Sequence, residues 1–186
     1  MFIKSILAGI CIAIGTLVYL SVNSPIIGAF LFSIGLFTIL QFKFNLYTGK
    51  VAYVSHLKDI KNIIIIFIGN LIGCCILLAF PSAAAGAIVT TKLAFPWFVV
   101  LFKAILCGIM IYIAVEGFKA NNLLITLLAV PTFILCGAEH SIANMCFLIA
   151  AYCFTFEAWG FIILVAIGNA IGSILFHQLI DFSEKI

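Results

Sequence analysis

The chain has 186 residues, of which 66% are hydrophobic and only 8% charged, and its mean hydropathy is +1.39. Soluble domains carry about 25% charged residues, so a water-soluble fold is excluded and the chain reads as a single-domain, polytopic membrane protein over residues 1–186. All nine basic residues are lysine and the net charge is +3, which speaks against a nucleic-acid partner and leaves the lysines to orient the protein in the lipid bilayer.

A bilayer core needs about 20 apolar residues per helix. Six apolar runs meet this requirement, at about 5–22, 26–54, 62–80, 96–117, 122–153 and 158–179. The first lacks a clear cleavage site and reads as a retained span rather than a signal peptide. The second and fifth are too long for one helix, and polar or small residues interrupt them: NLYTG at 45–49 and EHSIANM at 139–145. Irregular backbone at membrane depth is tolerated only where it is buried in protein or lines a cavity. Counting loops along the chain, Lys4, Lys58, Lys61, Lys119 and Lys185 fall on one side and Lys92 on the other. The positive-inside rule then predicts cytoplasmic termini, and the expected location is the inner (plasma) membrane. The seven cysteines lie within apolar runs without a CxxC pair or metal-ligand spacing; they read as buried thiols, with no metal or other cofactor implied.

The sequence also repeats itself. KSILAGICIAI (4–14) aligns with KAILCGIMIYI (103–113) at an offset of 99, and the same offset lays GNLIG (69–73) on GNAIG (168–172) and Asn45 on Asn144. Each copy, about 1–80 and about 96–180, holds three spans. An odd number places consecutive copies in opposite orientations, an arrangement that builds solute pathways near the bilayer midplane. Ionisable groups inside a membrane default to function, so Glu139, His140 and Asn144 are expected on or beside the path of a small solute. Glu139 and His140 are adjacent and point about 100° apart on a helix. Glu139 is therefore expected to face away from the path and to accept hydrogen bonds from backbone amides around Leu46 to Gly49. Its role would be structural.

GAEHSIANM in the broken fifth helix, LYTG in the broken second helix and GN..G in the third and sixth resemble the formate/nitrite transporter family over nearly the whole chain. The resemblance implies an aquaporin-like six-helix fold, assembly as a homopentamer with one pore per protomer, and passage of small monovalent acids and anions such as formate, nitrite or hydrosulfide. It implies that His140 is the central pore histidine, Thr48 its hydrogen-bonding partner and Asn144 the asparagine one turn later. It also implies that Leu36 and Phe133 form one apolar constriction, that Phe32 and Tyr47 occupy the other narrow zone, and that Lys92 draws anions into the outer vestibule. Against the family pattern, Asn45 stands where an acidic residue is more common and Lys43 replaces a small residue. Gly108 stands where the motif LCN would end, and Glu116 replaces a tryptophan.

The neutral acid crosses an apolar constriction far more cheaply than its anion, and a vestibule cation concentrates anions. His140 has two candidate jobs: handing a proton to the anion, or acting as a fixed hydrogen-bond donor, with Thr48 on one ring nitrogen and the other facing the lumen. Three settings stay open for Lys43, which can snorkel, pair with Glu116 or face the pore. Lys103 reads as an interfacial anchor, His56 and His177 as solvated, and the glycines as points of close helix crossing. The leading reading is an anion and weak-acid channel. The alternative is a pore for small uncharged solutes such as water, urea or ammonia. No acid–base constellation supports an enzyme.

Overall fold

A computed structural model of the protein describes residues 1–78 and 82–185. Residues 79 and 80, the end of the third predicted run, lie outside the described residues. The described residues are helical, with no strands among them. Four helices are long and apolar enough to cross a membrane: α1 (Phe2–Ser21), α4 (Leu57–Leu77), α6 (Trp97–Lys119) and α9 (Phe156–Ser183). The other two predicted spans are each split, into α2 (Pro25–Gln41) with α3 (Tyr47–Lys50), and α7 (Leu123–Leu135) with α8 (Ser141–Ala150). A short helix, α5 (Ala83–Leu93), precedes α6.

Local chemistry sets the helix starts. Ser24, Ser82, Asn122 and Thr155 cap α2, α5, α7 and α9, each accepting a backbone N–H three residues on, as N-cap side chains do. Pro25 follows the first of these caps at a position that needs no N–H. His56 and Asp59 close a capping box on α4; His56 is thus exposed and structural.

Helix α1 packs along α4 and α6 along α9, and glycines let the backbones touch. A Cβ on Gly9 would stand 2.1 Å from Asn70 O, and one on Gly108 2.2 Å from Asn169 O. Gly73 and Gly172 are equally tight against Ile6 O and Ile105 O, at 2.1 Å each. These contacts recur 99 residues apart, the offset of the aligned segments. Small residues at such crossings give membrane helices the close packing that the hydrophobic effect cannot supply in lipid.

The two breaks are also built alike. After α2, Lys43 takes φ 54°; after α7, Gly137 takes φ 69°. In each, two backbone bonds fold the chain back over the helix end: Lys43 N–H to Leu40 O and Phe44 N–H to Ile39 O, then Gly137 N–H to Ile134 O and Ala138 N–H to Phe133 O. This is the Schellman closure, which needs a left-handed residue and normally takes glycine.

Candidate solute pathway

Two asparagines hold the breaks open. Asn70 on α4 accepts the Tyr47 N–H at 2.9 Å and donates to Ser5 O and Asn45 O at 2.7 and 2.8 Å. Asn169 on α9 accepts the Ser141 N–H at 2.9 Å and donates to Ala104 O and Glu139 O at 2.9 and 2.8 Å. Both asparagines are fully buried, and each uses its amide oxygen and both amide hydrogens. Only the glycines of the GN..G motifs had been weighed from sequence; the asparagine that recurs beside them was the available signal. These bonds also correct the register. The bonds to α1 and α6 each span 65 residues, but those to the breaks span 25 in the first copy and 30 in the second. Asn45 therefore answers to Glu139 and not to Asn144, and Leu46 answers to His140.

His140 stands as the N-cap of α8, its Nδ1 accepting the Ala143 N–H at 3.0 Å. Its Nε2 lies 2.9 Å from Thr48 Oγ1, on the helix that follows the other break. Because Nδ1 accepts, the neutral ring carries its hydrogen on Nε2 and donates it to Thr48. The Thr48 hydroxyl hydrogen is then left for another acceptor. The expectation that one ring nitrogen faces the lumen is thus corrected: both are engaged, and the ring presents its face, stacked on Phe133 with centroids 5.8 Å apart.

The carboxylate of Glu139 does not meet the backbone amides of the first break, whose Tyr47 N–H belongs to Asn70. It is 1% exposed and pairs instead with Lys92 Nζ at 2.5 Å, while Asn144 Nδ2 donates to the same oxygen at 2.9 Å. A buried carboxylate is tolerable only with such partners. Sequence could not show this, because Lys92 arrives from α5, 47 residues away.

His140 opens on a cavity of about 90 Å³, also lined by Phe32, Phe133, Lys92 and Asn144, with Tyr19, Ile88 and Phe147 completing its wall. That volume holds about three waters. On the other side lies a basin of about 710 Å³, lined by Leu36, Ile39, Lys43, Phe44, Lys50 and Lys119 among others. Phe32 therefore shares a cavity with Phe133, and Leu36 belongs to the basin. Tyr47 lines neither: its hydroxyl donates to Ala166 O at 2.9 Å and its ring meets Phe67 edge-on. Asn45 donates from Nδ2 to Met1 O at 3.2 Å and tethers the chain start to the break. Glu116 is taken by Lys119, at 2.8 Å, and by the Tyr53 hydroxyl, leaving Lys43 unpaired with it. His177 meets Tyr112 Oη at 2.9 Å and Asp181 at 3.7 Å. Lys103 rests over the Phe95 ring at 3.8 Å.

Three comparisons bear on this arrangement. The model of the formate/nitrite transporter family matches residues 1–183. Among solved structures, one described as an FNT family ion channel superposes with a TM-score of 0.88 at 19% identity, covering 98% of this chain and 89% of that one. Another, a pentameric formate channel with formate bound, superposes with a TM-score of 0.85 at 22% identity, covering 99% and 96%. A comparison with curated protein sequences gives no match.

Proposed function

The chain belongs to the formate/nitrite transporter family, whose matched members are transporters and channels rather than enzymes, and from that premise we propose that it is a membrane channel for small monovalent anions and their conjugate acids. The reading takes the chain as six spans in two inverted three-helix repeats with an aquaporin-like course. It takes five copies as the assembly, cytoplasmic termini and a place in the inner (plasma) membrane. The contacts that recur at a constant offset support the repeat, and the pentameric formate channel supports the assembly.

The observation that carries the proposal is the buried pair of His140 and Thr48, one from each break, beside a cavity of small-acid size. A formate-class solute crosses this point as the neutral acid, because an anion among Phe32, Phe133 and Leu36 is far costlier. Of the two jobs open to His140, the geometry supports the fixed one. Nε2–H orients the Thr48 hydroxyl, whose hydrogen is then free to bond the passing solute, and bulk water supplies the proton outside. Asn144 and Lys92 line the same cavity and are assigned to the path with Phe32, Phe133 and Leu36, while Lys43 belongs to the basin. Glu139 and Asn45 support the breaks.

A second reading, a pore for uncharged solutes, is favoured by one fact: Lys92 is compensated by Glu139, so the small cavity has no uncompensated cation. Reconstitution into liposomes separates the two. Formate, nitrite or hydrosulfide gradients should change the internal pH as the neutral acid crosses and dissociates. Urea flux without any anion-linked pH change rejects the leading proposal.

A further inference from the structure

The basin and the small cavity differ in charge as well as size. In the small cavity Lys92 is neutralised at 2.5 Å by a buried carboxylate. At the basin, Lys119 is held by Glu116 at 2.8 Å and lies over the Tyr53 ring at 3.9 Å. Lys43 and Lys50 line the same basin, and among the described residues neither has a carboxylate within ion-pair distance. Lys50 also stands within electrostatic range of Lys119 and Lys4, so the mouth carries net positive charge. The rest of the wall is largely apolar, made by Leu36, Ile39, Phe44 and Phe118 among others. The basin's volume of about 710 Å³ falls in the range of small-molecule sites, whereas the cavity beside His140 has only about 90 Å³.

Cationic lining, apolar wall and the smaller neighbouring cavity together specify a ligand. We infer that the basin is a binding site for monocarboxylates with a short apolar tail, the carboxylate on Lys43 and Lys50 and the tail on Leu36, Ile39 and Phe118. A six-carbon acid has ample room in this site but exceeds the His140 cavity, which holds about three waters, so it plugs the path from this side. The plugging rests on the channel reading above; the binding does not. Lys43 owes its place in the lining to the left-handed turn, where the second break has Gly137 and no side chain.

The probes are hexanoate and its uncharged isostere hexanamide. Binding is measured by calorimetry on the protein in lipid nanodiscs, and block by formate flux in proteoliposomes, each variant referred to its own uninhibited flux. Hexanoate should bind and block; hexanamide should do neither at the same concentration. The double substitution Lys43→Gln with Lys50→Gln should weaken hexanoate by about tenfold or more, Lys43→Arg with Lys50→Arg should restore it, and Lys61→Gln, at an exposed lysine outside the basin, should leave it unchanged. No hexanoate binding, equal affinity for the amide, or equal affinity in the glutamine variant overturns the site. Binding through Lys43 and Lys50 without block overturns the plug. Binding without formate, nitrite or hydrosulfide flux in the unsubstituted protein leaves the site standing and overturns the channel reading instead.

Discussion

The two breaks share a frame and differ in what they carry. Each ends its helix in a Schellman turn, and each is tied to two carbonyls and one amide by a single buried asparagine, Asn70 or Asn169. At matching places the first has Lys43, Asn45 and Leu46, and the second Gly137, Glu139 and His140. The frame recurs because backbone at membrane depth must have its hydrogen bonds satisfied by protein. The chemistry does not recur, because the side chains at the matched places differ in kind. The first break contributes Thr48 from the turn after it, and the second contributes the ring that Thr48 meets.

If the frame is shared, breaking it should harm both breaks alike. Asn70→Asp and Asn169→Asp each swap two donors for an oxygen facing two carbonyls and bury a charge. Each should cost about 4 kcal/mol or more and prevent recovery of folded protein in detergent. A mild effect at one site and a severe one at the other would show that the two frames are not equivalent. The cargo, by contrast, should respond unequally. Lys92→Met leaves the Glu139 charge buried with only the Asn144 bond in the second break, a loss of about 3 kcal/mol. Asn45→Ala, at the place matching Glu139, removes one exposed bond to Met1 O and should cost less than about 1 kcal/mol. Thermal unfolding of the two variants in one detergent compares them directly. In flux, His140→Ala should slow formate by about tenfold, the equivalent of one net hydrogen bond. Leu46→Ala, its counterpart, should change flux far less, and equal losses would deny the imidazole its special place.

How far sequence alone reaches follows the same division. The four long apolar helices, the two interruptions and the glycine crossings were legible, because helix length and small-residue packing are written locally. The register of the breaks was not. An asparagine happens to follow Asn45 at the 99-residue offset, and the five residues that shift the break relative to its flanking helices carry no motif of their own. The partner of Glu139 was also hidden, since a short helix far along the chain delivers Lys92. His140 stood out as an ionisable group within an apolar run, whereas Thr48 came to notice through a family resemblance. That both ring nitrogens are engaged depends on His140 capping α8, a backbone fact that composition does not encode. Tyr47 misled because an aromatic residue next to a break suits packing against Ala166 and Phe67 as well as it suits a gate.

The smallest effect is also the one whose sign reverses between the breaks. Gly137 at φ 69° and Lys43 at φ 54° hold the same left-handed position. A side chain there costs about 1 kcal/mol relative to glycine in the folded state, while glycine costs up to about 1 kcal/mol through the freer unfolded chain. Gly137→Ala adds strain, and its new Cβ meets only Lys103 Nζ, at 3.6 Å; the loss should be about 1 kcal/mol. Lys43→Gly relieves the same strain and gives back most of the gain as entropy, so stability should rise by about 0.5 kcal/mol or hold level. A clear loss in Lys43→Gly would mean that the lysine holds the turn through a contact of its side chain. A gain, joined to weaker hexanoate binding, would mean that the first break gives up a little backbone comfort to keep a cation at the wide mouth.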